Sequence, residues 1–381
     1  MVGLAALVAT ACSSGSSGSA SGSDAAPSAS TTEPEVPPAP YPGTEWQRGD
    51  AAEAGFDPAT LEEIAAAAER RDSNCLVVTR HGELVAEWYW NDTDAGSSQE
   101  VFSATKSVSS TLLGIAQADG DLAVDDPASD YIPEWQGTPS AEVTIENILS
   151  NDSGRHWDLG TDYGDLVAAA DRTDFAVGLG QDAPPGTTWA YNNAAIQTLE
   201  AILAEATGEE PATYAREKLL GPLGMRDSEM TADAAGNTTM FFGLQSTCED
   251  MARFGYLFLR GGEWDGTQVV PQDWVEAATG GPSQDIGANY GYLWWLNRRG
   301  PQGNPAELNR AEDAATADAG QLVEGAPEDM YWALGLGGQV VQVDPGSDTV
   351  VVRLGGADLA AEYGPAQTAR VVTKALVDPS A

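Results

Sequence analysis

The strand-like segments of this chain lie at the two ends of its folded part, with helix-like segments between them. Near the N-terminal end, residues 75–79 and 83–90 are rich in β-branched and apolar residues, and Arg80-His81-Gly82 between them indicates a tight antiparallel hairpin. Strand-like character returns only after residue 281, in four short segments: Tyr290–Trp295, Met330–Leu334, Gln339–Val343 and Thr349–Leu354. Strands from both ends are therefore expected to share one sheet.

The middle of the chain has the periodicity of helices, most clearly in residues 192–208 and 248–262. We predict an α+β fold in which an antiparallel sheet is flanked by helices and carries an inserted all-helical lobe. The sheet lobe is expected to comprise about 43–122 and 282–381, and the helical lobe about 123–281. The junction of two such lobes is the natural place for a cleft.

The N-terminus indicates export. Residues 1–12 resemble a bacterial lipoprotein signal, in which the apolar run Leu4–Ala11 precedes Cys12, the residue that would carry the lipid. The Ser/Gly/Pro-rich residues 13–42 are then a disordered tether to a folded domain at 43–381. The alternative is an ordinary apolar leader with an incidental cysteine. Both interpretations predict an exported protein, either lipid-anchored on the outer face of the cytoplasmic membrane or secreted.

Charge and composition exclude several classes of partner. A formal net charge of −40 disfavours binding to nucleic acids and to anionic lipid surfaces. No later segment is long and apolar enough to span a bilayer, so the lipid anchor is the only membrane contact that we predict. Two histidines are too few for the usual metal clusters, and we expect neither a metal nor another cofactor.

Ser103 and Lys106 stand three residues apart at the start of a helix-like run that ends near Gly120. Residues i and i+3 share one face of a helix, so the amine can reach the hydroxyl. A lysine activates a serine only if part of it is neutral, and the negative charge of the chain favours the ammonium form. We therefore expect Lys106 to be well enclosed. The simpler alternative is that Ser103 only caps the helix.

Two later patterns give this pair a context. Residues 184–193 place Tyr191 and Asn193 at the entry to a helix, and residues 333–339 (Ala-Leu-Gly-Leu-Gly-Gly-Gln) put glycines at a strand. With S-x-x-K, Y-x-N and G-x-G-G-Q in this order, the chain resembles the serine β-lactamase and penicillin-binding superfamily. Within it, the chain is most similar to the class C β-lactamase-related esterases, D-aminopeptidases and 6-aminohexanoate-dimer hydrolases. The resemblance covers about 41–377 and implies the β-lactamase/transpeptidase-like fold.

The resemblance implies a serine hydrolase that cleaves an ester or amide bond through an acyl-enzyme on Ser103. Lys106 would take the hydroxyl proton, while Tyr191 would relay a proton to the leaving group and later activate water. Asn193 would hold Lys106 or the substrate, and Tyr163 lies in a loop that supplies a substrate-facing tyrosine in the dimer hydrolases. The alternatives are a core tyrosine at 191 and a helix cap at 193.

The third motif bears on the oxyanion hole and on the substrate. By resemblance, the backbone N–H of Ser103 and one from the segment Leu336 to Gln339, which includes Gly338, would form the oxyanion hole. Leu336 stands where many relatives have a lysine or histidine, and an apolar side chain cannot bind a substrate carboxylate. We therefore expect a neutral small-molecule ester, amide or short peptide. A β-lactamase, a D-alanyl-D-alanine carboxypeptidase and a non-catalytic cell-wall-binding lipoprotein are the alternatives.

A Ser-His-Asp site is disfavoured, because the only histidines are His81, in the hairpin turn, and His156, and no G-x-S-x-G motif is present. For His156, contact with the substrate is the alternative to a structural role. Cys75 and Cys248 form either a disulfide or two buried thiols, and an exported protein permits the former. The long Gly/Pro/Ala/Glu-rich stretch at 297–329 is expected to be a mobile flap or a disordered loop.

Overall fold

The structure is a computed structural model that describes residues 40–317, 319–357 and 363–381. The predicted signal at 1–12 with Cys12, and all of the tether except residues 40–42, lie outside the described residues. Within the described part, no helix has both the length and the apolar character needed to cross a membrane.

Most helices of the described residues are short, and only five α-helices have eight or more residues. The α-helices are α1 Pro58–Glu69, α2 Thr105–Asp119, α3 Ile145–Leu149, α4 Leu166–Ala168, α5 Arg172–Gly178, α6 Asn193–Gln197, α7 Leu199–Thr207, α8 Pro211–Ala215, α9 Cys248–Leu259, α10 Gln272–Thr279, α11 Ala311–Ala314 and α12 Pro365–Thr368. Helical turns of other types lie at Phe102–Ala104, Ala128–Asp130, Pro133–Trp135, Pro139–Glu142, Thr161–Asp165, Arg216–Leu220, Pro345–Ser347 and Val371–Ala375.

Among the described residues, the strands form one large sheet and three small ones. They are β1 Ser73–Arg80, β2 Glu83–Tyr89, β3 Gln99–Glu100, β4 Thr188–Ala190, β5 Glu229–Met230, β6 Leu244–Ser246, β7 Glu263–Trp264, β8 Thr267–Gln268, β9 Trp295–Leu296, β10 Leu308–Arg310, β11 Tyr331–Gly335, β12 Gln339–Asp344 and β13 Thr349–Gly355. The large sheet has the order β2-β1-β13-β12-β11-β9 and is antiparallel throughout. The two ends of the chain therefore share one sheet, which confirms the predicted α+β class.

Helices cover both faces of this sheet. Successive side chains of β1 point to opposite faces, so Leu76 and Val78 join a core with α1, while Val77 joins the larger core on the other face. On that larger side α9 packs against β1, β12 and β13. The central strands β12 and β13 are buried at every residue, and accordingly their valines occur in consecutive runs, such as Val350–Val352, rather than in alternation.

Helix α9 lies in the segment that we predicted to be the helical lobe, yet it packs on the sheet. Its approach is close, since a Cβ added at Gly255 would lie 2.7 Å from Val350 Cγ1. At its first residue, Cys248 forms a disulfide with Cys75 of β1. The bond joins residues separated by 173 positions in the sequence and fixes the start of α9 against the sheet.

The inserted segment is mainly helical, but it also contains strands β4 to β8. These strands are two or three residues long, too short to leave a periodic signal in the sequence. Two of them pair with strands outside the insert: β6 pairs with β3, and β4 pairs with β10. The insert therefore pairs through β6 with the part of the sheet lobe that precedes it in the chain, and through β4 with the part that follows it.

The stretch at 297–329 is folded onto the body, apart from Asp318, which lies outside the described residues. It contains β10 and α11, and in β10 Asn309 is opposite Trp189 of β4. Asn297 Nδ2 donates to the carbonyls of Val323, Ala326 and Pro327, at 3.1, 3.1 and 2.9 Å, and so closes the stretch on itself. The interpretation as a disordered loop was wrong, because hydrogen bonds to distant segments replace the missing local periodicity.

Candidate active site

Ser103 and Lys106 are brought together by the start of α2. Ser103 lies in the 3₁₀ turn at 102–104, and Lys106 is the second residue of the helix. Lys106 Nζ donates to Ser103 Oγ at 2.8 Å and to the carbonyl oxygen of Phe241 at 2.9 Å. No side chain caps the helix, so the interpretation of Ser103 as a cap was wrong.

The turn before the helix is conformationally strained. Phe102 has a φ of 48°, in the left-handed region that bulky residues rarely adopt. Its N–H donates to the carboxylate of Glu100 at 3.0 Å, and the same carboxylate accepts from Gly243 N at 2.8 Å. The strained turn that carries Ser103 is therefore tied to the segment that follows Phe241.

Lys106 is enclosed, as its position in a strongly acidic protein led us to expect. The side chain is buried, with 1% of its surface exposed. Burial lowers the pKa of its amine to about 7, although the nearby Asp162 carboxylate acts in the opposite direction. A substantial fraction of the amine is neutral near pH 7 and can accept a proton.

Tyr191 lies beside this pair. The Lys106 Nζ is 4.6 Å from the centroid of its ring, which also packs against Tyr290 and Trp295 at 6.0 and 5.5 Å. Burial raises the pKa of the phenol, and hydrogen bonds with Ser103 and Trp295 lower it in part. The phenol therefore remains protonated at neutral pH, in contact with the Ser103 hydroxyl.

Asp162 is a member of the site that the sequence analysis missed. Its carboxylate is buried and accepts from Asn193 N at 3.1 Å, Asn193 Nδ2 at 2.8 Å and Ala194 N at 2.9 Å. Burial raises its pKa to about 6, while these hydrogen bonds and the Lys106 amine oppose that shift. Asp162 thus places a negative charge near Lys106 at the start of α6. Its one sequence signal is its position next to Tyr163.

Asn193 does not hold Lys106 by a hydrogen bond. Its amide nitrogen is used by Asp162, and its buried Oδ1 has no hydrogen-bond partner among the described residues. It does not cap the helix either, because the cap is Asn192, whose side chain accepts from Ala195 N at 2.8 Å. Asn193 instead contributes to the wall of a cavity.

A cavity of about 990 Å³ opens onto Ser103. It lies between the insert, the end of β11 and the folded stretch at 297–329, which forms part of its wall. Five of the predicted residues line it: Ser103, Tyr163, Tyr191, Asn193 and Leu336. Tyr163 and Leu336 are exposed at its rim, with 44% and 45% of their surfaces accessible.

The hairpin turn between β11 and β12 brings Leu336 to the cavity. A Cβ added at Gly335 would lie 2.2 Å from the carbonyl oxygen of Val101, so the strand end packs directly against the segment before Ser103. Gly338 has a φ of 78°, and a Cβ there would lie 2.1 Å from the carbonyl oxygen of Tyr363. Both glycines are required by close backbone approaches.

Gln339 and Gly338 do not reach the cavity, contrary to the prediction. The Gln339 side chain is buried; it donates to the carbonyls of Leu336 and Gly355 and accepts from Gly355 N. The N–H of Gly338 donates to Gly335 O at 3.2 Å. Gln339 therefore stabilises the turn through hydrogen bonds with main-chain groups, which satisfy its buried amide.

A buried guanidinium holds the same turn. Arg353 Nη1 donates to the carbonyls of Gly337 and Gly338, at 2.6 and 3.0 Å. Its other nitrogens donate to Ser73 Oγ and to the carbonyls of Arg71 and Asp72. Burial lowers the pKa of Arg353 to about 10, so the group stays charged at neutral pH. The turn is pinned to β13 by charge-assisted hydrogen bonds.

Two backbone donors at the cavity are available for a ligand. Neither Ser103 N–H nor Leu336 N–H has a hydrogen-bond partner among the described residues. Both residues line the cavity. A pair of such donors is what a developing oxyanion requires.

The two histidines lie elsewhere. His81 contacts Asp348 Oδ2 at 2.8 Å, and His156 lies between Asp158 and Asp182 at 3.1 and 2.8 Å. Neither lines the cavity. Among the described residues there is also no cluster of three or more His, Cys, Asp or Glu side chains able to hold a metal ion.

The chain is similar to several known hydrolases. The chain is 25% identical over 315 residues to the 6-aminohexanoate-dimer hydrolase of Paenarthrobacter ureafaciens, covering 77% of this chain and 75% of the relative. It is 30% identical over 177 residues to esterase EstB of Burkholderia gladioli, covering 40% of this chain and 45% of the relative. The crystal structure of a β-lactamase from Mycobacterium bovis shares the fold, with a TM-score of 0.60 at 19% identity over 83% of this chain and 99% of that one.

The family model described as Beta-lactamase matches residues 60–370, which is most of the chain. This match includes the S-x-x-K, Y-x-N and G-x-G-G-Q segments and confirms the resemblance drawn from them. The chain therefore belongs to the β-lactamase family of serine hydrolases.

Proposed function

We propose that the chain hydrolyses a neutral ester or amide through an acyl-enzyme on Ser103, with Lys106 and Tyr191 as acid and base. The observation that carries this proposal is the 2.8 Å contact between Lys106 Nζ and Ser103 Oγ at a lysine whose pKa burial lowers to about 7. A neutral amine in that position is a general base for the hydroxyl.

In the first half-reaction Lys106 takes the proton of Ser103 as Oγ attacks the substrate carbonyl. The N–H groups of Ser103 and Leu336 stabilise the oxyanion. Tyr191, whose pKa is raised, donates its proton to the leaving alcohol or amine and recovers one from the Lys106 ammonium. In the second half-reaction the same groups activate water, which releases the acid and restores Ser103.

The charge of the cavity supports a neutral substrate. Among the described residues its lining contains one carboxylate, Glu307, and no lysine or arginine. A carboxylate on the substrate would therefore enter without a cationic partner, in a protein of net charge −40. This argues against efficient β-lactamase or carboxypeptidase action, whose substrates carry such a group.

We also propose export of the chain, as a lipoprotein anchored through Cys12 or as a secreted protein. The support is the signal-like sequence at 1–12 together with the Cys75–Cys248 disulfide, a bond that forms in oxidising compartments. The lipoprotein form should incorporate radiolabelled palmitate, which Cys12→Ser should not, and the secreted form should be recovered unlabelled outside the cell. Recovery of the parent chain from the cytosol, unlabelled and with Cys75 and Cys248 as free thiols, would contradict export.

The acyl-enzyme is tested by treating the chain with a fluorophosphonate and with p-nitrophenyl esters, followed by peptide mass spectrometry. A covalent adduct is expected on Ser103 and is expected to be absent in Ser103→Ala. Lys106→Ala and Tyr191→Phe should lower ester turnover by about 10²- to 10⁴-fold, the range typical of general acid–base groups.

Matched controls use residues away from the cavity. Lys218→Ala removes an exposed lysine paired with Asp119, and Tyr131→Phe removes a hydroxyl bound to Asp126. Both variants should keep full activity. Absence of an adduct on Ser103 with every acyl probe, or full turnover in Lys106→Ala, would refute the mechanism.

A further inference from the structure

Exposed apolar side chains gather around one opening of the molecule. Among the described residues, six large hydrophobic side chains are exposed, and three of them, Tyr163, Val167 and Leu336, line the cavity at Ser103. Single exposed apolar residues are ordinary on protein surfaces, whereas a group of them at a concave site marks a surface that binds something. The apolar character of this cavity therefore requires an explanation in terms of its ligand.

Five apolar side chains of the cavity lining make up what we call the apolar wall: Phe102, beside the nucleophile, and Tyr163, Val167, Phe241 and Phe242 of the insert. It begins at the reacting groups, because the carbonyl of Phe241 accepts from Lys106 and Phe102 precedes Ser103. Phe241 and Phe242 pack edge to face with centroids 4.6 Å apart. The wall is thus a fixed surface that leads from the nucleophile to the rim.

Three amide side chains of the cavity lining donate to main-chain carbonyls. Gln302 Nε2 donates to the carbonyls of Gly300 and Gly320, and Gln321 Nε2 donates to Asn297 O. Asn289 is likewise engaged, with both amide atoms bonded to the backbone of Gly303. These amides hold the folded stretch together, and they are not available to orient a polar substrate.

Positive charge stays outside the cavity. Arg172 packs against the Phe242 ring at 5.0 Å and donates to Thr239 Oγ1 and to the carbonyl of Val167. It is not among the residues that line the cavity. The stretches of the folded domain outside the described residues, 318 and 358–362, contain no lysine or arginine in their sequence.

We propose that the substrates of this site are neutral esters or amides that carry an apolar chain of several carbons, which lies along the apolar wall. This inference rests on the proposed acyl-enzyme function and adds the class of substrate. An apolar chain gains by leaving water for such a surface, and no fixed charge has to be desolvated when it binds.

The expected effect is a dependence of kcat/KM on chain length. Burial of one methylene contributes about 0.8 kcal/mol, which corresponds to roughly a fourfold rise for each methylene that becomes fully buried. Turnover of p-nitrophenyl butanoate, hexanoate and octanoate measures this for the acyl side. Butyl, hexyl and octyl acetate measure it for the alcohol side.

A rise of kcat/KM along the acyl series or along the alcohol series is expected. Phe242→Ala and Val167→Asn should flatten that rise, the second at an exposed position where folding is not at risk. Val377→Asn, at a side chain that is 66% exposed and outside the cavity, is the matched control and should keep the slope. The mono-p-nitrophenyl ester of adipic acid should react at least tenfold more slowly than the hexanoate.

A flat profile in both series, an unchanged slope in both wall variants, or equal turnover of the adipate and hexanoate esters would overturn the inference. Fluorophosphonate labelling of Ser103 separates this result from failure of the mechanism. If Ser103 is labelled and the profiles are flat, only the substrate class is wrong. If Ser103 is not labelled, the proposed function itself fails.

Discussion

The two ends of the large sheet are built alike but serve different purposes. At the end away from the cavity, the β1–β2 turn contains Gly82 with a φ of 81°, and the buried Arg80 donates to main-chain carbonyls, including Ser347 O at 3.1 Å. At the cavity end, the β11–β12 turn contains Gly338 with a φ of 78°, and the buried Arg353 does the same. Each end therefore combines a glycine of positive φ in a turn with a buried arginine that donates to main-chain carbonyls.

The difference lies in what each turn contacts. Arg80 also donates to Asp378 O and Pro379 O, at 3.2 and 2.8 Å, and so fixes the C-terminal segment. Arg353 fixes a turn whose neighbour Gly335 packs on the carbonyl of Val101, two residues before Ser103. Equivalent anchors thus stabilise the fold at one end and position the site at the other.

The largest expected contrast is between Gly338→Ala and Gly82→Ala. An added Cβ would lie 2.1 Å from Tyr363 O in the first variant and 2.2 Å from Pro40 O in the second, and both residues have positive φ. Each substitution should cost roughly 1–3 kcal/mol of unfolding free energy. Gly338→Ala alone should also lower kcat/KM by at least about a hundredfold, because it moves the Leu336 N–H. Thermal melts and p-nitrophenyl ester kinetics measure the two effects, and equal activity in both variants would break the comparison.

The arginines give the second contrast. Arg353→Gln and Arg80→Gln each remove a buried group that satisfies several carbonyls, and each should lower the unfolding free energy by about 2–3 kcal/mol. In Arg353→Gln, kcat should also fall by roughly tenfold to a hundredfold through misplacement of the turn, while Arg80→Gln keeps its kcat. Arg353→Lys, which retains one charged donor, should recover part of the loss. A fall in kcat of the same size in Arg80→Gln would show that both effects reflect stability alone.

The pH dependence of activity should belong to the cavity end only. The pKa of Lys106 is lowered to about 7, and the neutral amine is the active form, so kcat/KM should rise with pH. Below this pKa the rise is about tenfold per pH unit, and it levels off above it. Arg80→Gln should show the same midpoint as the parent chain. A profile that falls between pH 6 and 8 would contradict a neutral lysine as the base.

The side chains at the tips of the two turns should give the smallest contrast. Leu336→Ser removes apolar surface from the cavity and should lower kcat/KM for a hexanoate ester by about fivefold, equivalent to about 1 kcal/mol of burial. His81→Asn, at a residue with a φ of 51°, should leave activity unchanged and alter the unfolding free energy by less than about 0.5 kcal/mol. Equal kinetics for Leu336→Ser and the parent chain would remove Leu336 from the substrate surface.

The parts of the site that sequence could predict are those that depend on short separations. The spacing of Ser103 and Lys106 requires only one turn of helix, and the structure places the two groups 2.8 Å apart. Tyr191 follows its motif into the same cavity. Asp162, Arg353 and the supporting role of Gln339 were not predicted. Each acts through main-chain groups or charges that are distant in sequence, and such contacts leave no local pattern.

For the fold, the apolar content of the strands was sufficient to predict the hairpin at 75–90 and the strands β11 to β13, whereas the predicted strand at Tyr290–Trp295 was wrong except at its last residue, where β9 begins. The paired segments β4 and β10 were missed, because strands of three residues depend on their partner rather than on periodicity. The same reason explains the error at 297–329, whose order comes from contacts with β4 and from the amide of Asn297.

The sequence by itself determined the nucleophile–lysine pair, the sheet shared by both ends of the chain and the acidity that makes a buried lysine necessary. These follow from the periodicities of helix and strand and from simple charge arithmetic. Only the tertiary structure decided that Cys75 meets Cys248, that Arg353 rather than Arg80 supports the site, and that the cavity is apolar and lacks a cation among the described residues. Those properties arise where segments that are distant in the sequence pack against one another and exclude water. They therefore depend on the packing of the whole chain.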